Sequence, residues 1–391
     1  MKTCLFVLLA IFSLAGASHS RVMQDAIEKV KQKAGLRHDW DPSLKEIPKG
    51  ANYFTIAGRV VHLGDLVPAQ DLFTDDAEIL IDGVRQPPKT LLYKSRVHRG
   101  VTVILDDKKD LIKASLTLPN GDEIDLIHLS GSTFAEVDAD KDIDLSQFTD
   151  FEISGALTEG LPSARNLRGR GVARRRLAQI SPPSPICTNL AQATIYFAAD
   201  SDFVADAIAE CDTCDVPDGE KALAAIEEVF AEVQALYREE LCIDLSIKGV
   251  DIRTNQSNDP YRNLRLASSE VCGSSGFLWD LTVWLLQPGN DPSGGDRNIF
   301  HLLYGDPDAS GIRTLGCGWI GQTCNKYYAV SLSEMSYKGV YSANMRTKRN
   351  LLAHELGHNF GAGTCIFHFY LLSTFSRACR THIQFSSIFR P

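Results

Sequence analysis

The chain has 391 residues, which at about 150 residues per domain leaves room for two or three domains and at least one well-buried core. Apolar residues make up 44% and charged residues 23%, with 29 Gly and 16 Pro, a composition that excludes a disordered or fibrous protein. The formal charge of −9 argues against nucleic acid as the main partner, because phosphate recognition rests on clustered Lys and Arg in excess.

Lys2 precedes an apolar run over residues 4–15, and Ala15 and Ala17 give the A-x-A pattern of a signal-peptidase site. Residues 1–17 are therefore expected to be a cleaved secretory signal. A membrane anchor needs about 20 apolar residues, and this run ends sooner, at Ser18, His19, Ser20 and Arg21. No later stretch predicts a membrane span, so the mature protein is expected to be secreted and extracellular. Export makes disulfides the expected state of cysteine. Cys4 leaves with the signal, and the other nine, Cys187, Cys211, Cys214, Cys242, Cys272, Cys317, Cys324, Cys365 and Cys379, all lie beyond residue 186. Cys211 and Cys214 have the spacing of a redox or zinc pair, but in an exported, cysteine-rich segment a structural disulfide is the favoured reading.

Residues 18–160 carry short strand-like runs, at 78–82 and 101–105 for example. The sequence 114–118, Pro119-Asn120-Gly121-Asp122, 123–129 reads as a hairpin, because Asn-Gly supplies the positive φ angles of a tight turn. A small β-rich domain is expected. Asp138, Asp140, Asp142 and Asp144 alternate as in a calcium loop, yet the positions that need Gly and Glu are Ile143 and Thr149, so a solvated acidic turn is preferred. Residues 161–186 then turn basic and Pro-rich, with Arg165, Arg168, Arg170, Arg174, Arg175 and Arg176, and read as an exposed linker. Arg165-Asn166-Leu167-Arg168 and the tribasic Arg174 to Arg176 are candidate cuts for a processing protease acting near Arg168 or Arg176. The plainer alternative is a solvated basic run that binds a polyanion.

Beyond Cys187 the pattern alternates between helix and strand. Strands are expected at 193–198, 242–247, 298–304, 314–320 and 327–332, and a helix at 277–286. A helix over 219–238 places Leu223, Ile226, Val229, Phe230, Val233 and Leu236 on one face, the spacing of a helix packed on a sheet. The acids between Asp200 and Glu220 read as a solvated face. Asn255-Gln256-Ser257 is an N-glycosylation sequon suited to a surface loop. This order of elements predicts an α/β fold, a sheet covered by helices.

Residues 342–359 predict a helix containing His354-Glu355-Leu356-Gly357-His358. Two histidines at i and i+4 share one helix face, close enough to ligate a single metal ion, and the glutamate beside the first can reach a water on that ion. Zinc takes imidazole nitrogen, keeps an open position in catalytic sites and lowers the pKa of its water to about 7. Glu355 is then the expected general base, accepting the water's proton as a peptide carbonyl is attacked and passing it to the leaving amine. A chance pattern on a polar helix face is the competing reading. Asn359-Phe360-Gly361 follows, and Gly361 permits the abrupt turn that a third ligand on the next loop requires.

With these residues in view, the sequence resembles the metzincin zinc metallopeptidases, and within them the adamalysin/reprolysin (ADAM-like) group, family M12B. That group carries H-E-x-x-H-x-x-G-x-x-H-D, which residues 353–361 follow. Phe300 to Gly305 and Gly316-Cys317-Gly318-Trp319-Ile320-Gly321-Gln322-Thr323-Cys324 resemble its strand leading to the active site and its substrate-flanking edge strand. The resemblance spans roughly 190–365. It implies a metzincin-like catalytic domain, a mixed twisted sheet with an active-site helix, over 187–363, preceded by a β-rich propeptide over 18–160 and the linker over 161–186. It also implies a zymogen, Zn2+ held by His354 and His358, Glu355 as general base, and protein or peptide substrates.

Two departures qualify the expectation. The third histidine of the pattern falls at Thr364, a poor zinc ligand at neutral pH, with Cys365 and His368 out of register. No methionine follows Met345, where the resemblance implies a methionine turn beneath the metal, and after Glu355 there is no Asp or Glu. Residues 364–391 are therefore expected to be a non-native ending, so that the domain is truncated after the zinc-binding helix. The alternative to a secreted metalloendopeptidase is a catalytically inactive extracellular binding protein of the same fold.

Overall fold

The computed structural model describes residues 41–138 apart from 88–89, 107 and 119–122, and residues 190–362 apart from 211–215, 273–275, 306–314 and 337–344, with a few positions between 23 and 39. The signal segment, Asp140 to Asp144, the Arg-rich linker, and Thr364, Cys365 and His368 lie outside the described residues.

The N-terminal half is built of strands: β1 (Ser43–Glu46), β2 (Tyr53–Ile56), β3 (Arg59–His62), β4 (Leu66–Pro68), β5 (Phe73–Ile81), β6 (Val84–Gln86), β7 (Leu92–Ser95), β8 (Val101–Leu105), β9 (Leu111–Thr117), β10 (Glu123–Ser130) and β11 (Thr133–Asp138). Seven of them form an antiparallel sheet in the order β1-β11-β10-β9-β8-β7-β4. The predicted hairpin appears as β9 and β10, with Thr117 opposite Glu123. Strand β8, Val-Thr-Val-Ile-Leu, is buried at all five positions, which is why it reads as an unbroken apolar run rather than an alternation. Phe54, Ile56, Val61, Val103, Leu116, Leu126 and Phe134 make the local core.

The C-terminal half alternates: β12 (Ala191–Ala199), α1 (Ser201–Glu210), α2 (Asp218–Glu240), β13 (Ile243–Ile252), α3 (Pro260–Ala267), α4 (Phe277–Leu285), β14 (Ile299–Gly305), β15 (Gly316–Gly318), β16 (Val330–Ser336) and α5 (Met345–Asn359). The predicted apolar face of α2 is buried from Leu223 to Val233. Strand β12 pairs in parallel with both β13 and β14, and β14 with β16, while β15 runs antiparallel to β16. Parallel neighbours require crossovers, and helices α1 and α2 supply the one from β12 to β13. The fold is α/β, as the alternation of elements predicts.

The sheet does not stop at β13. Its order is β15-β16-β14-β12-β13-β5-β6, so two strands of the N-terminal half complete it. Strand β5 lies parallel to β13, with Glu78, Ile79, Leu80 and Ile81 opposite Gly249, Val250, Asp251 and Ile252. One hydrophobic core follows from this, in which Leu72, Ile79 and Leu92 pack with Ile195, Phe197, Phe230, Val250, Leu352 and Leu356.

Two sequence expectations change. Asp200 and Asp202 are not on a solvated face: both are buried, because Arg262 and Arg265, some 60 residues later, come to meet them. Asp200 also caps α1, accepting the Phe203 N–H at 2.8 Å, and burial pushes its carboxyl up to about 8. The strand expected at 327–332 begins at Val330, because the Asn325 side chain accepts from the Tyr327 N–H and holds 325–329 in a turn. Among the described cysteines, Cys272 and Cys317 form a disulfide, Cys242 is disulfide-bonded, and Cys324 is an exposed free thiol. Asn255 is exposed at the end of β13, where its side chain accepts from the Ser257 N–H and hydroxyl.

Candidate metal centre

Helix α5 is buried along most of Lys348 to Asn359, and its placement is set by two neighbours. Behind it, the Tyr237 hydroxyl of α2 donates to the Ala353 carbonyl at 2.8 Å, and Leu352 and Leu356 enter the core. In front lies β15. A Cβ at Gly316 would meet the Glu355 Oε1 at 2.6 Å, and one at Gly318 would meet the Glu355 carbonyl at 2.7 Å and the His358 Cβ at 3.1 Å. The Gly-Cys-Gly alternation thus has a physical reason. The face of β15 turned to the helix must be bare, while Cys317 on the other face ties the strand to Cys272.

The helix ends in a Schellman arrangement, with the Ala362 N–H bonding the Gly357 carbonyl and the Gly361 N–H bonding the His358 carbonyl. Gly361 has φ +94°, the left-handed conformation that such an ending requires. The segment after β15 clamps this end: Gly321 N–H donates to the His358 carbonyl, Thr323 donates twice to that of Asn359, and the Asn359 side chain donates back to the Trp319 and Val330 carbonyls.

His354 and His358 stand one turn apart with ring centroids 4.6 Å from each other and planes at 80°. Burial pushes His354 down to about 3, helped by His358, and also lowers His358, so both rings are neutral near pH 7, the form that ligates a metal. The His358 Nδ1 lies 2.9 Å from the Ala362 carbonyl, which fixes the proton on that nitrogen and leaves Nε2 with its lone pair. Glu355, next to His354 in the chain, is 1% exposed, and neither carboxyl oxygen has a hydrogen-bond partner among the described residues. Its carboxyl is held well above the usual carboxylate range by burial alone.

These residues fit a divalent metal such as zinc: two neutral imidazoles on one helix face, one held in a fixed tautomer, and on the same helix a buried carboxyl that no described residue satisfies. Among the described residues no group of three His, Cys, Asp or Glu converges on one point, and the third position of the sequence pattern, Thr364, lies outside them.

Sequence reasoning named His354, Glu355 and His358, and the structure brings the three together. Tyr237 bears no sequence signal, and Asn359, Gly316 and Gly318 stand out in it only as parts of family-like stretches, yet these four position the three. His301, within the strand that resembles the family's approach to the active site, is a core residue: it is fully buried, paired through Nδ1 with the Ser331 hydroxyl at 2.7 Å.

Comparison with known families gives a match to Reprolysin_5, metallo-peptidase family M12, over residues 189–381. The match runs past Gly363 and takes in Thr364, Cys365, His368 and Cys379. No curated protein matches the chain. No helix among the described residues is long and apolar enough to cross a membrane.

Proposed function

We propose that the chain, which matches metallo-peptidase family M12 over residues 189–381, is a secreted zinc-dependent endopeptidase, made as a zymogen and processed near Arg168 or Arg176. The observation that carries the reading is Glu355: a buried carboxyl without a hydrogen-bond partner among the described residues, on the same helix as two neutral imidazoles and against the backbone of an edge strand.

His354 and His358 would hold the zinc. When bound, zinc supplies Lewis acidity that makes water nucleophilic near neutral pH. Among the described residues strand β15 is paired only on its β16 side, so its other edge can take an extended peptide by strand addition, next to the helix that carries Glu355. Glu355 receives the proton of the attacking water and returns it to the amine that leaves. Gly316 keeps the slot for that carboxyl open, and the clamp on Asn359 together with the Tyr237 bond fixes the helix that aims it.

Metal analysis of the purified protein with a peptide-cleavage assay tests this reading. One equivalent of zinc and chelator-sensitive cleavage support the enzyme. A folded chain that takes up no zinc favours the alternative of an inactive extracellular binder, for which the threonine at position 364 is the motivating residue. Thr364→His should tighten zinc binding by more than about 100-fold, since even indirect supports of a ligand are worth 10–100-fold; equal affinity would show that position 364 is not a ligand position.

A further inference from the structure

We propose that residues 41–138 are a lasting subunit of the folded peptidase, held by strand addition at β13, and that a cut in the Arg-rich linker leaves a two-piece particle. The inference rests on the reading that the linker is a processing site.

Four observations carry it. The first is topological. Strand β5 continues the sheet at β13, and β6 folds back to close the outer edge, so this contact lies at the opposite end of the sheet from β15 and Glu355. A segment bound there need not leave for the candidate site to be reached.

The second is the core. Ala69, Leu72, Ile79, Leu91, Leu92 and Ile104 belong to the same buried cluster as Phe197, Phe230 and Val250, so the contact is a shared interior rather than a cover laid on a finished surface. Removing it would expose an unpaired strand edge beside an apolar face, the pattern that proteins avoid leaving bare.

The third is the polar layer around that core. On α2, Glu227 accepts from the Thr90 hydroxyl at 2.6 Å and the Leu92 N–H at 3.4 Å, and Glu228 from Ser115 at 3.3 Å with Lys113 at 2.9 Å. Glu232 accepts from Thr117 at 3.1 Å. On β13 Lys248 meets Asp76 at 2.5 Å, and beyond its end the Thr254 N–H donates to Asp82 at 2.8 Å. Donors of the N-terminal strands thus meet the carboxylates of α2, while along β13 and just beyond it the donors Lys248 and Thr254 of the other half meet carboxylates of β5 and the turn after it.

The fourth lies in the sequence of the peptidase half itself. A Cβ at Gly219 would meet the Ile81 side chain, at 2.7 Å, and one at Gly249 would meet the Glu78 carbonyl at 2.9 Å besides the Tyr196 ring. Neither glycine has a positive φ, so the absent side chains are explained by close approach, and for Gly219 the approaching residue belongs to β5. The peptidase half is shaped to receive the strand.

The test uses the full chain with a site-specific protease sequence inserted between residues 170 and 180. After complete cutting, verified under denaturing conditions, the protein is run on a sizing column at pH 6 and micromolar, then nanomolar, concentration. We expect both pieces to co-elute at the mass of the uncut chain and to separate only in denaturant. Separation in native buffer overturns the proposal, whether or not the larger piece stays folded. Gly219→Val supplies the second arm: the side chain pushes on Ile81, and the dissociation constant of the cut particle should rise at least about tenfold while the zinc content of the uncut chain is unchanged. An unaltered dissociation constant would remove β5 from the contact. The readout is mass, not activity, so a chain that binds no zinc yet stays two-piece refutes the peptidase reading alone. One that sheds 41–138 and still cleaves peptides refutes this inference alone.

Discussion

The two ends of the mixed sheet are treated in opposite ways. At β15 the edge is short, stripped of side chains at Gly316 and Gly318, and without a strand beside it among the described residues. At β13 the edge is ten residues long, rich in Ile and Val, and covered by β5 and β6. The difference teaches what an edge is for. A bare backbone edge beside reactive side chains is suited to a transient peptide, and a long apolar edge with buried carboxylates alongside is suited to a resident strand.

The largest expected effect tests the bare end. Glu355→Gln should lower peptide cleavage by about 10²–10⁴-fold with zinc content retained; turnover within a few-fold of the parent would remove Glu355 as the base. At the covered end, Leu92→Ala should cost about 2–5 kcal/mol and lower a single unfolding transition of both halves, because Leu92 is fully buried in the common core. Leu126→Ala, in the core of the N-terminal sheet alone, is the control. Two separate transitions in thermal unfolding, with only the first moved by Leu92→Ala, would break the comparison.

A pH effect follows from the carboxyls between the halves. Burial pushes Glu227 up to about 8, and Asp125, beside Ser115 and Glu228, up to about 6. In the unfolded chain both titrate near 4. The folded form therefore holds protons that the unfolded form gives up, and this contribution is complete below about pH 4 and is lost as pH rises through 6 and then 8. Denaturant midpoints measured from pH 5 to 9 should fall, and Glu227→Gln, which keeps an acceptor for Thr90, should flatten the upper part of that fall. A midpoint that rises with pH would contradict the assignment. The smallest effect is Tyr237→Phe, which removes one buried hydrogen bond to the site helix at a cost of about 0.5–1.5 kcal/mol.

What could be read in the sequence was local. The helical face of α2, the apolar run of β8 and the His-Glu-His spacing on α5 are each set by neighbours within a few residues, and each lies where its period predicts. The membership of β5 in the second sheet could not be read, because a parallel pairing across the length of another sheet leaves no periodicity of its own. Its traces were two glycines, at 219 and 249, whose meaning depends on a strand elsewhere in the chain. The burial of Asp202 was hidden for the same reason, since its partners Arg262 and Arg265 look like an ordinary basic helix until α3 is placed. Within the site, the ligand pair and the base were legible from their chemistry, whereas Tyr237 and Asn359 act through backbone carbonyls and bear no motif.

The pairing of β5 with β13 also sets the order in which the molecule can be made. Ile79 faces Val250, about 170 residues further along, so at about 5–20 residues per second the first partner waits on the order of ten to thirty seconds for the second to be synthesised. During that interval the N-terminal antiparallel sheet, whose strands pair mostly with their neighbours in sequence, can form on its own while the β5–β6 hairpin hangs from it with the β13 edge of β5 unpaired. The peptidase sheet, by contrast, grows from β12 toward a template that already exists. The pairing of β5 with β13 is then the contact that closes a loop of about 170 residues, whereas the helix that carries the chemistry needs only local contacts to form.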